Sequence, residues 1–194
     1  MKKRMAAEPQ VLSFGSRAEW RAWLGRNYGK QEGIWLRVYK KGAGVKTVTH
    51  PEALDEALCF GWIDGQGRPC DSASWLVRFT PRRAKSIWSV RNTERAERLA
   101  KEKRMRQPGL LEIEKAKKDG RWGRAYLPSS AMETPKDFLE EIAKDKVAFE
   151  FFKGLNRANT YAIAWRLHTA RTPEIRAKRM EALLQKMKAK QKLH

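Results

Sequence analysis

The sequence predicts an α+β fold, with a small, mainly antiparallel sheet and helices in the N-terminal half and a helical C-terminal half. Three observations predict it. Short aromatic and β-branched runs separated by turn residues cluster before residue 81. Apolar residues at helical spacing dominate from about Asn92 onward. A 41% apolar content with eight Trp and seven Phe supplies enough apolar surface for a core without disulfides or a structural metal. At 194 residues the chain suits one ordinary domain, or a domain with a helical extension.

Val11 to Phe14 reads as a short strand. Ser16 and Glu19 then stand at capping-box spacing before a helical face of Trp20, Trp23, Leu24 and Tyr28. Gly29 and Gly33 bracket its exit, and Ile34-Trp35-Leu36-Arg37-Val38-Tyr39, short and rich in aromatic and β-branched residues, reads better as a strand than as a helix. Gly42 and Gly44 turn the chain. Thr49 and Glu52 repeat the capping spacing, Pro51 sits in the first turn, and Ala53, Leu54, Ala57, Leu58 and Phe60 form the apolar stripe of a second helix. Gly61 ends it, Trp62 to Gly65 reads as a tight strand or turn, and Ser74 to Thr80 as another strand.

Helical spacing recurs in Ala96, Leu99 and Ala100, in Leu110 and Ile113, and in Leu139, Ile142 and Ala143. The clearest stripes are Ala158, Tyr161, Ala162 and Trp165, then Met180, Leu183, Leu184 and Met187, with Pro173 between them. Arg121 to Thr134 reads as a connecting loop. The expected organisation is therefore a disordered basic N-terminus over 1–10, an α+β region over 11–106, and a helical region over 107–194 packed on it and ending in a basic helix and tail.

Lys and Arg number 42 against 22 Asp and Glu, and the net charge of +20 attracts polyanions and repels polycations at long range. An anionic ligand, a nucleic acid or an acidic protein surface are the partners this favours; the same charge also keeps a protein soluble. The start MKKRMAAEPQ is basic, but no apolar run follows it, so a cytoplasmic location is expected, and no stretch reaches transmembrane length. Cys59 and Cys70 are expected to be reduced, with Cys59 a small buried hydrophobe. No metal or other cofactor is expected: His50, His168, His194 and the two cysteines form no ligand spacing, and phosphate-loop, dinucleotide and serine-hydrolase motifs are absent. A Cys59–His50 nucleophile fails on geometry, since nine helical residues separate the two by about 13 Å.

Three strings are distinctive: EALDEALCFGWIDGQ at 52–66, RFTPRRAKSIWS at 78–89, and LNRANTYAIAWRLHTARTPEIRAKRM at 155–180. Together they resemble the YdeI/OmpD-associated, bacteriocin-protection family from about Val11 to Lys188. The resemblance implies a mixed α/β domain followed by helices, and a role in bacterial tolerance of bacteriocins and cationic antimicrobial peptides. It brings no catalytic residue to this chain. A protein of charge +20 repels cationic peptides, so any protection is expected to be indirect, through an anionic partner.

The candidate ligand-binding set is Arg78, Thr80, Arg82, Arg83, Ser86 and Trp88, with Asp64 to orient an arginine. Guanidinium forks match phosphate or carboxylate oxygens, the hydroxyls of Thr80 and Ser86 add donors, and the indole of Trp88 can stack on a base or sugar. The same residues also fit an internal Asp64–Arg78 pair with Trp88 in the core. A non-enzymatic binding protein is the leading expectation. Sequence-nonspecific nucleic-acid binding along Arg91, Arg95, Arg98, Lys101 and Arg104 is the first alternative, though Glu94, Glu97 and Glu102 stand at spacings that suit helix ion pairs. The second is an enzyme acting on a small anionic substrate, which requires Asp64 and Arg78 in one pocket.

Overall fold

A computed structural model of the protein describes residues 10–194, so the stretch 1–10 expected to be disordered lies outside the described residues apart from Gln10. The elements run β1 (Val11–Leu12), α1 (Arg17–Asn27), β2 (Ile34–Tyr39), α2 (His50–Cys59), β3 (Trp62–Pro69) and β4 (Ser74–Pro81). Six helices follow: α3 (Val90–Lys101), α4 (Gln107–Lys118), α5 (Lys136–Ala143), α6 (Lys146–Lys153), α7 (Arg157–His168) and α8 (Pro173–Lys188). The fold class is α+β as expected. Among the described residues no helix is long and apolar enough to cross a membrane.

Capping chemistry sets the first two helix starts. The Ser16 hydroxyl accepts the Glu19 N–H at 3.3 Å, while the Glu19 carboxylate takes the N–H of Gly15 at 2.9 Å, one residue upstream of the usual reciprocal bond. At α2 the box is complete, with Glu52 N–H donating to Thr49 Oγ1 at 3.4 Å and Thr49 N–H to the Glu52 carboxylate at 3.0 Å.

The strands form one sheet in the order β1-β2-β4-β3, with β1 parallel to β2 and the other pairs antiparallel. Side chains alternate between its faces. Ile34, Leu36 and Val38, all buried, pair with Phe79, Val77 and Trp75 to make the inner face. On that face Trp20 of α1 meets Phe79 at 5.6 Å between ring centroids, Trp23 meets Trp62 at 6.0 Å, and the Trp20 indole N–H donates to Ala53 of α2 at 2.9 Å. Burial of these large rings dominates the energetics of this layer.

The chain divides into two compact units, one reaching to Ser86 and including Thr93–Trp122, the other made of Ile87–Asn92 and Gly123–His194. α4 thus belongs with the sheet rather than with the later helices. Its docking needs glycine: a Cβ on Gly109 would stand 2.5 Å from the Cys59 carbonyl oxygen and 2.6 Å from that of Leu58. The Arg106 N–H donates to the same Cys59 carbonyl at 3.0 Å, which satisfies an otherwise orphaned group at the end of α2.

In the second unit Phe138, Ile142, Ala148, Ile163, Leu167, Leu183 and Met187 form the core. The Met180–Met187 stripe of α8 packs inward as an ordinary amphipathic face, with Met180 and Leu184 partly buried beside it. α7 is rotated from its expected phase. Its buried positions are Asn159, Ala162, Ile163, Ala164 and Leu167, while Ala158 is exposed and Tyr161 and Trp165 are half-buried. Asn159 is satisfied in its burial, since its side-chain oxygen accepts the N–H groups of Leu193 and His194 at 2.8 and 3.2 Å.

Candidate functional site

The outer face of the sheet carries Trp35, Arg37 and Tyr39 from β2, Arg68 from β3, and Leu76, Arg78 and Thr80 from β4. Trp35 pairs with Arg78, and Leu76 pairs with both Arg37 and Arg68. Leu76, flanked by these two arginines, is only 5% exposed. Above them the charges meet aromatic rings. The Arg68 guanidinium lies 4.3 Å from the centroid of Trp35, that of Arg78 lies 6.0 Å from the same ring, and that of Arg37 lies 4.7 Å from Tyr39.

Arg37 is also held by an ion pair to Asp71 and by donation to Ser74 Oγ at 2.9 Å. Arg78 is different. Its Nη1 is shielded from solvent yet has no hydrogen-bond partner among the described residues, and it faces no carboxylate. Burial pushes its pKa down, but a guanidinium stays charged in a protein. A buried donor left unsatisfied costs about 1–3 kcal/mol, more when charged.

Glycines border Arg78 on either side. Gly33 has φ +132°, and a Cβ there would meet the Phe79 carbonyl oxygen at 2.6 Å, Thr80 Cγ2 at 2.7 Å and Arg78 Nη2 at 2.9 Å, so only glycine fits. On β3, Gly65 and Gly67 flank a register irregularity and put no side chain beside Arg78. The result is a cationic centre with an indole on one strand and open backbone on the other.

The structure distributes the other expected site residues differently. Asp64 pairs with Phe79 in the register, so it projects to the inner face, where its Oδ2 lies 2.9 Å from His50 Nε2. Asp64 and Arg78 are therefore on opposite faces of the sheet, and the pocket required for joint acid–base and anion-clamping chemistry is not assembled. Thr80 shares the Arg78 face and is half-buried. Arg82 is 7% exposed, with its N–H on the Gly61 carbonyl at 2.9 Å. Arg83 is exposed and sits in a turn closed by Ser86: the Arg83 N–H donates to Ser86 Oγ at 3.0 Å and the Ser86 N–H to the Arg83 carbonyl at 2.8 Å. Trp88, expected as a stacking ring, is 2% exposed in the second unit, which leaves no open face for a ligand base.

The basic row after β4 is largely committed to internal pairing. Asp55 accepts from Arg95 at 2.5 Å and Arg98 at 2.8 Å, and Glu56 accepts from Arg17 at 2.5 Å, from Arg104 at 2.6 Å and from Arg21. Glu102 adds a bond to Arg98 and another to Arg104, each at 3.0 Å. Burial pushes the Asp55 carboxyl up, but the bonds from Arg98 and Arg95 outweigh it and hold the group below its ordinary value. Of the five residues Arg91, Arg95, Arg98, Lys101 and Arg104, three are thus bound to carboxylates, while Arg91 and Lys101 are exposed.

Trp35, Arg37 and Arg68 were not among the candidates drawn from sequence. Their signal was present in β2, where the polar phase of the alternation, Trp35-Arg37-Tyr39, holds two aromatic rings and a cation rather than small polar residues.

Residues 12–112, which contain the whole sheet beyond Val11, match the family described as Domain of unknown function (DUF8412). Residues 131–190 match the family described as Bacteriocin-protection, YdeI or OmpD-Associated. Of the three strings that carry the resemblance, the one at 155–180 lies inside this second match and the other two lie inside the first. No curated protein and no solved structure matches the chain. The first match spans more than half of the chain, and the chain belongs to the DUF8412 family, with a segment over residues 131–190 similar to the bacteriocin-protection, YdeI or OmpD-associated family.

Proposed function

We propose that the protein is a non-enzymatic, cytoplasmic binding protein that serves bacteriocin tolerance by engaging an anionic ligand on the outer face of its sheet, centred on Arg78. The family match supports the bacteriocin-protection role. The observation that carries the binding reading is the buried Arg78 Nη1 with no hydrogen-bond partner among the described residues. A guanidinium with an unsatisfied N–H is costly in a fold that pairs Arg17, Arg21, Arg95, Arg98 and Arg104 with carboxylates, and an anion reaching it beside Gly33 would remove the cost. Thr80 stands on the same face, and Arg83 and Ser86 follow just beyond β4 as its charged margin.

Tripolyphosphate serves as the probe. Calorimetric titration at low salt should show binding to the wild type that weakens at least about tenfold in R78M. The melting temperature of R78M should be unchanged or higher, because the substitution removes a half-buried guanidinium whose Nη1 has no hydrogen-bond partner among the described residues. Equal affinity of the two proteins would refute the assignment.

A second reading is favoured by the rings. Trp35 and Tyr39, interleaved with Arg37, Arg68 and Arg78, form a platform of the kind that stacks bases of single-stranded nucleic acid. It requires binding to a labelled oligothymidylate whose log affinity falls linearly with log salt and which W35A weakens. A flat salt response excludes it.

A further inference from the structure

A concave site lies at the end of the inner face, where the Lys40–Thr49 segment leaves β2 and enters α2. The segment is tied at both ends. The Lys40 N–H donates to the Ala73 carbonyl at 2.8 Å, and the N–H of Val48, which is fully buried, donates to the Phe14 carbonyl at 2.9 Å. Between these anchors, Gly42 and Gly44 take positive φ and lift the chain into an arch over Val38 and Trp75. The cavity beneath the arch has a volume of about 590 Å³, a size that suits a small organic ligand.

Its walls are apolar, from Val38, Val45, Pro51 and Trp75, and its polar groups are cationic or hydrogen-bonding. Lys40, Lys41 and Lys46 stand on the arch with no carboxylate partner among the described residues. His50 occupies the opposite wall at the start of α2. Asp64 holds its Nε2 at 2.9 Å and so fixes the ring, and Nδ1 makes no hydrogen bond among the described residues. A carboxylate on one imidazole nitrogen orients the other toward a ligand, as in many enzyme and metal sites.

We propose that this cavity binds a small organic anion whose apolar body packs on Val38, Val45 and Trp75 and whose anionic head accepts from the arch lysines and from the Nδ1–H of the doubly protonated His50 ring. The site is separate from the Arg78 face, since β2 and β4 present Val38 and Trp75 on one side and Arg78 on the other. It also accounts for Asp64, which the Arg78 site does not use.

Phenyl phosphate is the probe, with inorganic phosphate and benzyl alcohol as controls lacking the body and the charge. The titration is followed by ¹H–¹⁵N NMR on the R78M protein, so that loss of the sheet-face site cannot be mistaken for loss of this one. Phenyl phosphate should shift the amides of Val45, Thr47 and Thr49 and the Trp75 indole with saturation, and bind at least about tenfold more tightly than either control. H50A should weaken it about tenfold. V45D, at a position 48% exposed where the fold is not at risk, should abolish it, and V45K should retain it. The proposal is overturned if H50A binds as the unmodified His50 protein does, if inorganic phosphate binds as tightly, or if the shifts fall elsewhere.

Discussion

Replacing Glu56 with Ala tests whether the arginines around α2 are structural. The Glu56 side chain is 2% exposed and accepts from Arg17, Arg21 and Arg104, whose side chains are 36%, 27% and 24% exposed. Removing one partner of a fully buried ion pair costs about 3–5 kcal/mol. Here the three guanidinium groups reach solvent in part and recover some hydration, which brings the expected loss to about 3 kcal/mol. For a chain of this length that lowers the melting temperature by roughly 6–12 °C. Thermal and urea unfolding followed by circular dichroism measure it, and E56Q, which keeps the volume and one acceptor oxygen, should fall between E56A and the wild type. A loss in E56A below about 0.5 kcal/mol, the range of an unremarkable surface substitution, refutes the reasoning and returns Arg104 to the pool of cations available to a ligand.

Acid should weaken the same network. The folded pKa of Asp55 lies below its unfolded value, so its ionised form stabilises the fold fully above about pH 4, and the contribution is lost as pH falls from there through the folded value. The stability gap between wild type and D55N should shrink over that window, and a gap equally wide at about pH 3 and pH 7 would contradict it. The two cysteines should differ sharply toward a thiol reagent. Cys70 is exposed, whereas Cys59 is buried and its thiol is pushed up to about 11 by burial, reinforced by the charge of Glu56. One equivalent should react with dithiobis(nitrobenzoate) in the native state, and prompt labelling of a C70S variant would show that α2 opens more readily than its packing allows.

What the sequence determined by itself was local. Thr49 with Glu52 starts α2 and Ser16 with Glu19 starts α1, because a cap and its partner lie three residues apart and need nothing else from the fold. The alternation Ile34-Trp35-Leu36-Arg37-Val38-Tyr39 names β2 and its two faces for the same reason. α7 marks the limit of such reading: both Ala158-Tyr161-Ala162-Trp165 and Asn159-Ile163-Leu167 keep helical spacing, and packing against α8 decided between them by placing Asn159 under the C-terminal N–H groups. α6 shows no narrow apolar stripe, because Val147, Ala148, Phe149, Phe151 and Phe152 spread over more than half of its circumference.

Only the tertiary structure decided which cations are spent and which remain. Arg95 and Arg98 meet Asp55 across about forty residues of chain, and Arg17 and Arg104 converge on Glu56 from either side of it in sequence. No spacing rule reaches that far, because an ion pair is a matter of distance in space. The same holds for Asp64 and Arg78, whose pairing depended on the sheet bringing them together. The register of β3 on β4 sends their side chains to opposite faces, leaving Asp64 to His50 and Arg78 without a hydrogen-bond partner at Nη1 among the described residues.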